Sequence, residues 1–106
     1  MTPNFANANA NPEDFSYDPK GDVLYITFSR EKAVRTVELL ADWPMLLVDV
    51  NDQNQIIGIE FVGVKQFGFD AFVRLLKERL AQQADKEAED IIAFMRLPGA
   101  EMALAR

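Results

Sequence analysis

Residues 49–60 read DVNDQNQIIGIE, and two different structures fit this stretch. The first is a calcium loop of the EF-hand type, which begins with an Asp, places oxygen ligands at alternate positions and ends with a Glu. Asp49 and Glu60 stand at the two ends of that frame, with Asn51, Gln53 and Gln55 between them. The second is a tight β-hairpin whose turn lies at residues 51–54.

The flanking sequence favours the hairpin. An EF-hand needs a helix on each side of its loop, but Pro44 lies shortly before this one. Residues 57–64, IGIEFVGV, alternate β-branched residues and contain two glycines, which is typical of a strand. Where a calcium loop requires Gly the chain has Asn54, which tolerates the left-handed conformation at the end of a type I turn. We therefore predict a hairpin and no metal.

The composition excludes several kinds of chemistry. The 106 residues contain no Cys and no His, so disulfides, thiolate zinc sites and His-based catalysis are excluded. The net charge of −6 repels nucleic acid and suits a basic protein partner. No apolar run approaches the roughly 20 residues that span a membrane, and the N-terminus does not resemble a secretory signal. We expect a cytoplasmic protein without cofactors.

The chain divides into a tail, a β-rich part and a helical part. Residues 1–14, rich in Asn, Ala and Pro, predict a flexible tail. The turn sequence DPKG at residues 18–21 joins two strands, and hydrophobic patterning predicts the others. The predicted strands cover residues 15–17, 23–28, 33–40, 45–50 and 55–64. Four or five antiparallel strands in succession indicate a small β-meander over residues 15–66.

Residues 67–106 are predicted to be helical. Apolar residues at 69, 72, 73, 76 and 80 follow one helical stripe, and those at 84, 88, 91, 92 and 95 follow another. Either one long helix reaches residue 97, or two helices meet near Asp85, and Pro98 with Gly99 ends the helical region. The predicted fold is α+β, with a single domain over residues 15–106.

The distribution of apolar residues over the strands predicts a homodimer. In the expected register, one sheet face carries Met45, Leu47, Ile57, Ile59 and Phe61. The other face carries Leu46, Val48, Val50, Ile56 and Val62, together with Gly58 and Glu60. Both faces would then need a cover. The first helix covers one, and the second helix or a second copy of the chain covers the other.

Two motifs resemble a bacterial family known as domain of unknown function 2283. They are YDPKGDVLYITFS at residues 17–29 and VDVNDQNQIIGIEFVGV at residues 48–64. The family pattern is a Tyr-Asp-Pro turn, an Asp before Leu-Tyr-Ile, and Asp-x-Asp-x-x-Gly leading into Gly-Ile-Glu-Ile. Asn51 replaces the second Asp of that pattern and Asn54 replaces its turn Gly. The resemblance covers residues 17–65 and implies no particular activity, because the family has none established.

Four carboxylates attract attention as candidate site residues. Asp18 and Asp22 bracket the first turn and are expected to face each other across the hairpin, where they either share a cation or satisfy turn backbone groups. Glu60 lies in an apolar strand. It is expected either to act as a general base or interface partner, or to project at a sheet edge or pair with Arg35 on a neighbouring strand. Asp49 begins the hairpin.

Two aromatic residues complete the candidate set. Tyr25 is expected to be a core or rim aromatic, and Trp43, which precedes Pro44, would be a binding anchor if exposed. The leading hypothesis is a non-enzymatic homodimeric interaction module that binds a basic partner such as a toxin, by analogy with two-gene cassettes. Its interaction residues are Asp18, Asp22, Tyr25, Trp43, Asp49 and Glu60. The alternative is a small-molecule or metal-assisted enzyme that uses these carboxylates.

Overall fold

A computed structural model describes residues 11–40, 42–81 and 93–105 of the chain. Most of the predicted tail, residues 1–10, lies outside the described residues. The choice between one helix and two falls on residues 82–92, including Asp85, which also lie outside them.

The hairpin at residues 49–60 occupies the middle of a five-stranded antiparallel sheet. The strands are β1 (Asp14–Asp18), β2 (Val23–Thr27), β3 (Arg35–Leu40), β4 (Met45–Val50) and β5 (Ile56–Val62). Their order across the sheet is β1-β2-β5-β4-β3. The predicted α+β class is confirmed, and the order is meander-like. However, β2 pairs with β5, so the chain between β2 and β3 crosses to the far edge and leaves β5 in the centre.

The predicted turn at residues 51–54 is confirmed. Asn54 adopts the left-handed conformation, with φ of 60°. The buried Asn51 side chain holds the turn, because its Oδ1 accepts the backbone N–H groups of Gln53 at 2.9 Å and Gln55 at 3.0 Å. Strands on both sides rule out the EF-hand geometry. The amide of Asn51 suits this turn better than a carboxylate would, because its Nδ2 also donates a hydrogen bond to the side chain of Gln55 at 2.9 Å.

The predicted assignment of side chains to sheet faces is wrong along most of the hairpin. Next to the turn Val50 pairs with Ile56, but a β-bulge between Asp49 and Val50 shifts the register by one residue. Beyond the bulge Leu46 lies opposite Phe61 and Leu47 opposite Glu60. Because side chains alternate between faces, this one-residue shift of register places half of the side chains predicted for each face on the opposite face.

One face of the sheet is the apolar core. Six side chains on its three middle strands are at most 1% exposed: Leu24, Ile26, Leu46, Val48, Ile59 and Phe61. Helical residues cover them, and Phe72 meets Phe61 edge to face with ring centroids 6.2 Å apart. Phe94 meets Phe28 in the same way at 4.9 Å. Aromatic pairs of this geometry stabilise a core beyond the area that they bury.

Among the described residues, the sheet is followed by α1 (Val64–Phe67), α2 (Phe69–Ala81) and α3 (Pro98–Ala105), and residues 93–94 are also helical. β5 ends two residues before the predicted residue 64, because Gly63 takes φ of 91° and begins α1. The prediction that Pro98 and Gly99 end the helical region is wrong, since α3 begins there. Proline fits the first position of a helix, where its missing N–H is not needed. Within the described residues, no helix has the length and hydrophobicity to span a membrane.

α3 packs directly on β1 through a glycine contact. A Cβ added at Gly99 would lie 2.3 Å from Cδ2 and 2.4 Å from Cε2 of Phe15, which is closer than side chains approach. The absence of a side chain at this position therefore permits the contact between helix and strand.

We expect Gly99→Ala to destabilise the domain, although alanine favours helix. Overpacking against the Phe15 ring costs about 1–3 kcal/mol, which exceeds the helix-propensity gain of at most about 1 kcal/mol. Urea unfolding followed by circular dichroism measures the difference. Gly58→Ala is the control, because its new Cβ comes no closer than 3.6 Å to its neighbours. If Gly99→Ala is as stable as wild type, the contact is not tight.

Candidate functional site

The second face of the sheet, here called the open face, carries both acidic and apolar side chains. Its middle row runs from Tyr25 on β2 through Glu60 on β5 to Leu47 on β4. The next row contains Thr27, Gly58 and Asp49, and a third contains Val23, Val62 and Met45. Leu47, Glu60 and Met45 are half-buried, and Tyr25 is 36% exposed.

Glu60 lies on the central strand, not at an edge. The suggested pairing with Arg35 is wrong, because Arg35 lies opposite Val50 and donates its Nη2 to Oδ1 of Asn54. Among the described residues no Lys or Arg forms an ion pair with Glu60. Burial, and then the negative charge of Asp49, raise the pKa of Glu60 above its ordinary value. An acid therefore lies in the middle of the sheet without a cationic partner in the part of the chain that the structure describes.

Asp49 occupies the next row beside a glycine. Its Oδ1 accepts the hydroxyl hydrogen of Thr36 on β3 at 2.5 Å, which fixes the carboxylate. Its Oδ2 is directed towards Gly58, 3.6 Å from where a Cβ would stand there. A cavity of about 300 Å³ opens at this point, lined by Tyr25, Asp49, Gly58, Glu60 and the loop from Ser29 to Ala33.

Tyr25 lies among these carboxylates. Burial raises its pKa first, and the charges of Glu60, Asp18 and Asp49 raise it further. A phenol with a raised pKa stays protonated at neutral pH and is not a base. The open face therefore brings Tyr25, Asp49 and Glu60 together, with Asp18 close enough to act on the same hydroxyl.

Asp22 has a different environment and is nearly fully buried, 2% exposed. Its carboxylate accepts the hydroxyl of Tyr17 at 2.5 Å and the backbone N–H groups of Lys65 at 2.9 Å and Gln66 at 2.8 Å. These N–H groups begin α1, so Asp22 caps that helix from across the sheet. Its φ of 54° is left-handed. The backbone N–H groups that the Asp22 carboxylate accepts thus belong to a helix far along the sequence, and not to the nearby turn as expected.

The hydrogen bonds decide the ionisation of Asp22. Burial alone would raise its pKa, but the Tyr17 hydroxyl and the two helical N–H groups outweigh burial, so the pKa lies below its ordinary value. Burial, followed by the bond to Asp22 and its charge, raises the pKa of Tyr17 to about 12. Lys65 Nζ lies 4.4 Å from the centre of the Tyr17 ring. The cluster is a structural clamp between β1, β2 and α1.

Asp18 and Asp22 do not face each other across the hairpin, because Asp18 lies opposite Val23. Asp18 starts the turn, with Oδ1 accepting the Lys20 N–H at 3.0 Å.

Trp43 is 48% exposed and packs on Gly63, where an added Cβ would lie 2.8 Å from its Cζ2. Its ring is thus supported on one side and free on the other.

No sequence motif indicates the cavity or the role of its glycine. The pattern of the strands places Gly58 on a sheet face, and a glycine inside a strand indicates close approach by another group. Glu31, which no motif singles out, accepts the Ser29 hydroxyl at 3.0 Å and lines the cavity. Across the described residues, no group of three or more acidic side chains has the geometry to hold a metal ion.

Residues 14–65, from the start of β1 to the second residue of α1, match the family model "Protein of unknown function (DUF2283)". These residues belong to that family. The resemblance seen in the two sequence motifs is therefore confirmed, and every residue of the open face lies within the DUF2283 segment. Comparisons with curated proteins and with solved structures found no match. α2 and α3 follow the DUF2283 segment and lie outside the match.

We expect Asp22→Asn to destabilise the DUF2283 domain by about 2 kcal/mol near neutral pH, because its amide hydrogens would point at donors in a buried site. Because folding lowers the pKa of Asp22, its contribution to the free energy of unfolding is complete above the unfolded-state pKa of about 3.9. This contribution is lost as the pH falls through the folded-state pKa. Chemical unfolding of both proteins across acidic pH measures this. Asp52→Asn, in an exposed turn, is the control. A pH-independent difference would contradict the expectation.

For Glu60→Gln we expect the opposite sign. The folded state raises the pKa of Glu60, so ionisation destabilises the fold as pH rises from the ordinary value of 4.5 through the folded value. The variant should unfold a few degrees above wild type near neutral pH, with no difference below pH 4.5. Thermal unfolding at several pH values tests this. Glu38→Gln, at an exposed position on the edge strand β3, should not reproduce the effect.

Proposed function

We propose that this chain is a non-enzymatic protein-interaction module whose open face binds a basic partner protein. The observation that carries the proposal is Glu60, a carboxylate on the central strand with a raised pKa and without a cationic partner among the described residues. A buried or half-buried carboxylate costs stability unless a cation meets it. A lysine or arginine on a partner supplies that cation.

The remainder of the open face suits a protein more than a small ion. Leu47, Met45 and Val62 form a half-buried apolar strip beside the acids, and protein interfaces combine such strips with charged groups at their margins. Trp43 presents its free side near the end of β4, and half-exposed tryptophans are common anchors of interfaces. The overall charge of −6 steers a basic partner towards the chain.

Charge also decides between a basic partner and a second copy on this face. Two open faces in contact would bring the carboxylates of Asp49 and Glu60 against the same carboxylates of the twin, and like charges in an interface cost several kcal/mol, of order 2–5. We therefore assign the open face to a different, basic protein, such as a toxin. The predicted homodimer would have to use another surface.

A displayed library of random peptides tests this proposal. Peptides selected on the wild-type chain should carry net positive charge together with aliphatic or aromatic residues. Binding of the selected peptides should weaken about tenfold in Asp49→Asn with Glu60→Gln, because two unpaired carboxylates are lost. It should also weaken with added salt, which screens charges.

The matched control is Glu78→Gln with Glu101→Gln. It removes two exposed carboxylates from α2 and α3, so the net charge changes equally while the open face stays intact. Amide chemical shifts should change on β2, β4 and β5 when a peptide binds. Selection of neutral or acidic peptides, equal weakening in the control, or concentration-dependent self-association through the open face would each overturn the proposal.

A further inference from the structure

The cavity beside Gly58 interrupts the open face. It measures about 300 Å³ and lies where β2, β4 and β5 meet the loop between β2 and β3. That loop is fixed to the sheet, because the N–H groups of Phe28 and Ser29 donate to the Ile57 carbonyl at 3.0 and 3.2 Å. The cavity therefore has fixed walls on more than one side, which favours binding of a defined group.

Glycine forms the floor of this cavity. A Cβ at Gly58 would have only ordinary contacts, 3.6 Å to Asp49 Oδ2 and 3.8 Å to the Ile26 carbonyl. Its φ is not left-handed, so no conformational need for glycine is evident there. The missing side chain leaves a flat surface of backbone between the flanking side chains.

The walls combine the aromatic ring of Tyr25 with three carboxylates, those of Glu31, Asp49 and Glu60. Tyr25 lines the cavity and exposes 36% of its surface, so part of its ring is open to a ligand. Asp49 is held by Thr36 and directs Oδ2 over the floor. Glu60 lies in the same row as Tyr25, directly opposite it, and Asp49 lies in the next row. The walls thus offer an aromatic side chain and carboxylate acceptors from neighbouring strands around Gly58.

A planar cation matches this combination better than a spherical one. A guanidinium group stacks on aromatic rings and donates several hydrogen bonds in its own plane to carboxylates, while an ammonium group is compact and strongly hydrated. Stacking of the cation on a tyrosine adds a cation–π attraction. A cavity of this volume admits a guanidinium with part of its aliphatic stem.

We propose that the Gly58 cavity binds the guanidinium group of an arginine side chain presented by the partner protein. This inference rests on the proposed function and adds to it the residue type that the partner inserts. Tyr25 and the Gly58 floor determine the preference for a planar group, and Asp49 and Glu60 supply the charge. The apolar strip of Leu47 and Met45 then contacts residues that flank the arginine.

Small-molecule probes test the cavity without a partner. N-acetyl-L-arginine methylamide should shift the amide signals of Gly58, Asp49 and Glu60 in a saturable titration. The matching lysine derivative should bind at least fivefold more weakly, and the uncharged citrulline derivative should not saturate. Equal affinities for arginine and lysine would overturn the assignment to a guanidinium, and absence of saturable shifts with arginine would overturn the site.

Three variants separate shape from charge. Gly58→Ala leaves the net charge unchanged and should weaken arginine binding at least fivefold, because a methyl group occupies the floor. Tyr25→Leu should weaken it similarly, whereas Tyr25→Phe keeps the ring and should not. Thermal unfolding confirms that each variant is folded. If Gly58→Ala and Tyr25→Leu bind arginine as wild type does, simple charge attraction explains the binding and the cavity proposal fails.

The two proposals fail in different ways. If selected basic peptides bind the open face but their affinity does not change when arginine is replaced by lysine, the arginine cavity fails and the interaction module stands. If the arginine derivative binds the cavity while no basic peptide is selected, the cavity is a small-molecule site and the protein-interaction proposal fails.

Discussion

One β-bulge between β4 and β5 determines which side chains reach the open face. Beyond the bulge at Asp49 and Val50, Leu47 lies opposite Glu60 and Leu46 opposite Phe61. Successive side chains of a strand point to opposite faces. Removing that single irregularity would therefore turn the side chains of one strand to the opposite face of the sheet relative to its neighbour. An acid would then compete with an aromatic ring for a place in the core. The separation of the apolar core face from the acidic open face depends on this one local feature.

The buried carboxylate of Asp22 connects this sheet to the helices. It accepts hydrogen bonds from Tyr17 on β1 and from the N–H groups of Lys65 and Gln66, which begin α1 after the central strand. The family match ends at residue 65, where this contact is made. The matched segment is thus a sheet together with the contact that positions the first helical turn, and α2 and α3 complete the core from outside it.

Local features of the fold were predictable from sequence, and long-range ones were not. The left-handed Asn54 and the turn at Asp18 follow from residue chemistry confined to a few positions. The pairing of β2 with β5 brings together residues more than thirty positions apart, which no local pattern specifies. The bulge lies beside Gly58, but a glycine inside a strand does not by itself specify a shift of register, so the predicted faces were exchanged. Residue type alone identifies Tyr25 and Glu60 as candidates. The row that joins them depends on the long-range pairing of β2 with β5, so the sequence does not predict it.

Stability and binding act in opposite directions at Glu60 and Asp49. In the free chain, partial burial and the nearby charge of Asp49 favour the protonated state of Glu60, so ionisation of Glu60 opposes folding near neutral pH. A cation between them reverses that sign, because the same charges then attract the ligand in a region of reduced dielectric constant. Substitutions that stabilise the free domain here should therefore weaken the complex. A central strand that only had to fold would be more stable with an uncharged residue at position 60, and this cost in the free chain supports the proposal that the open face binds a cationic partner.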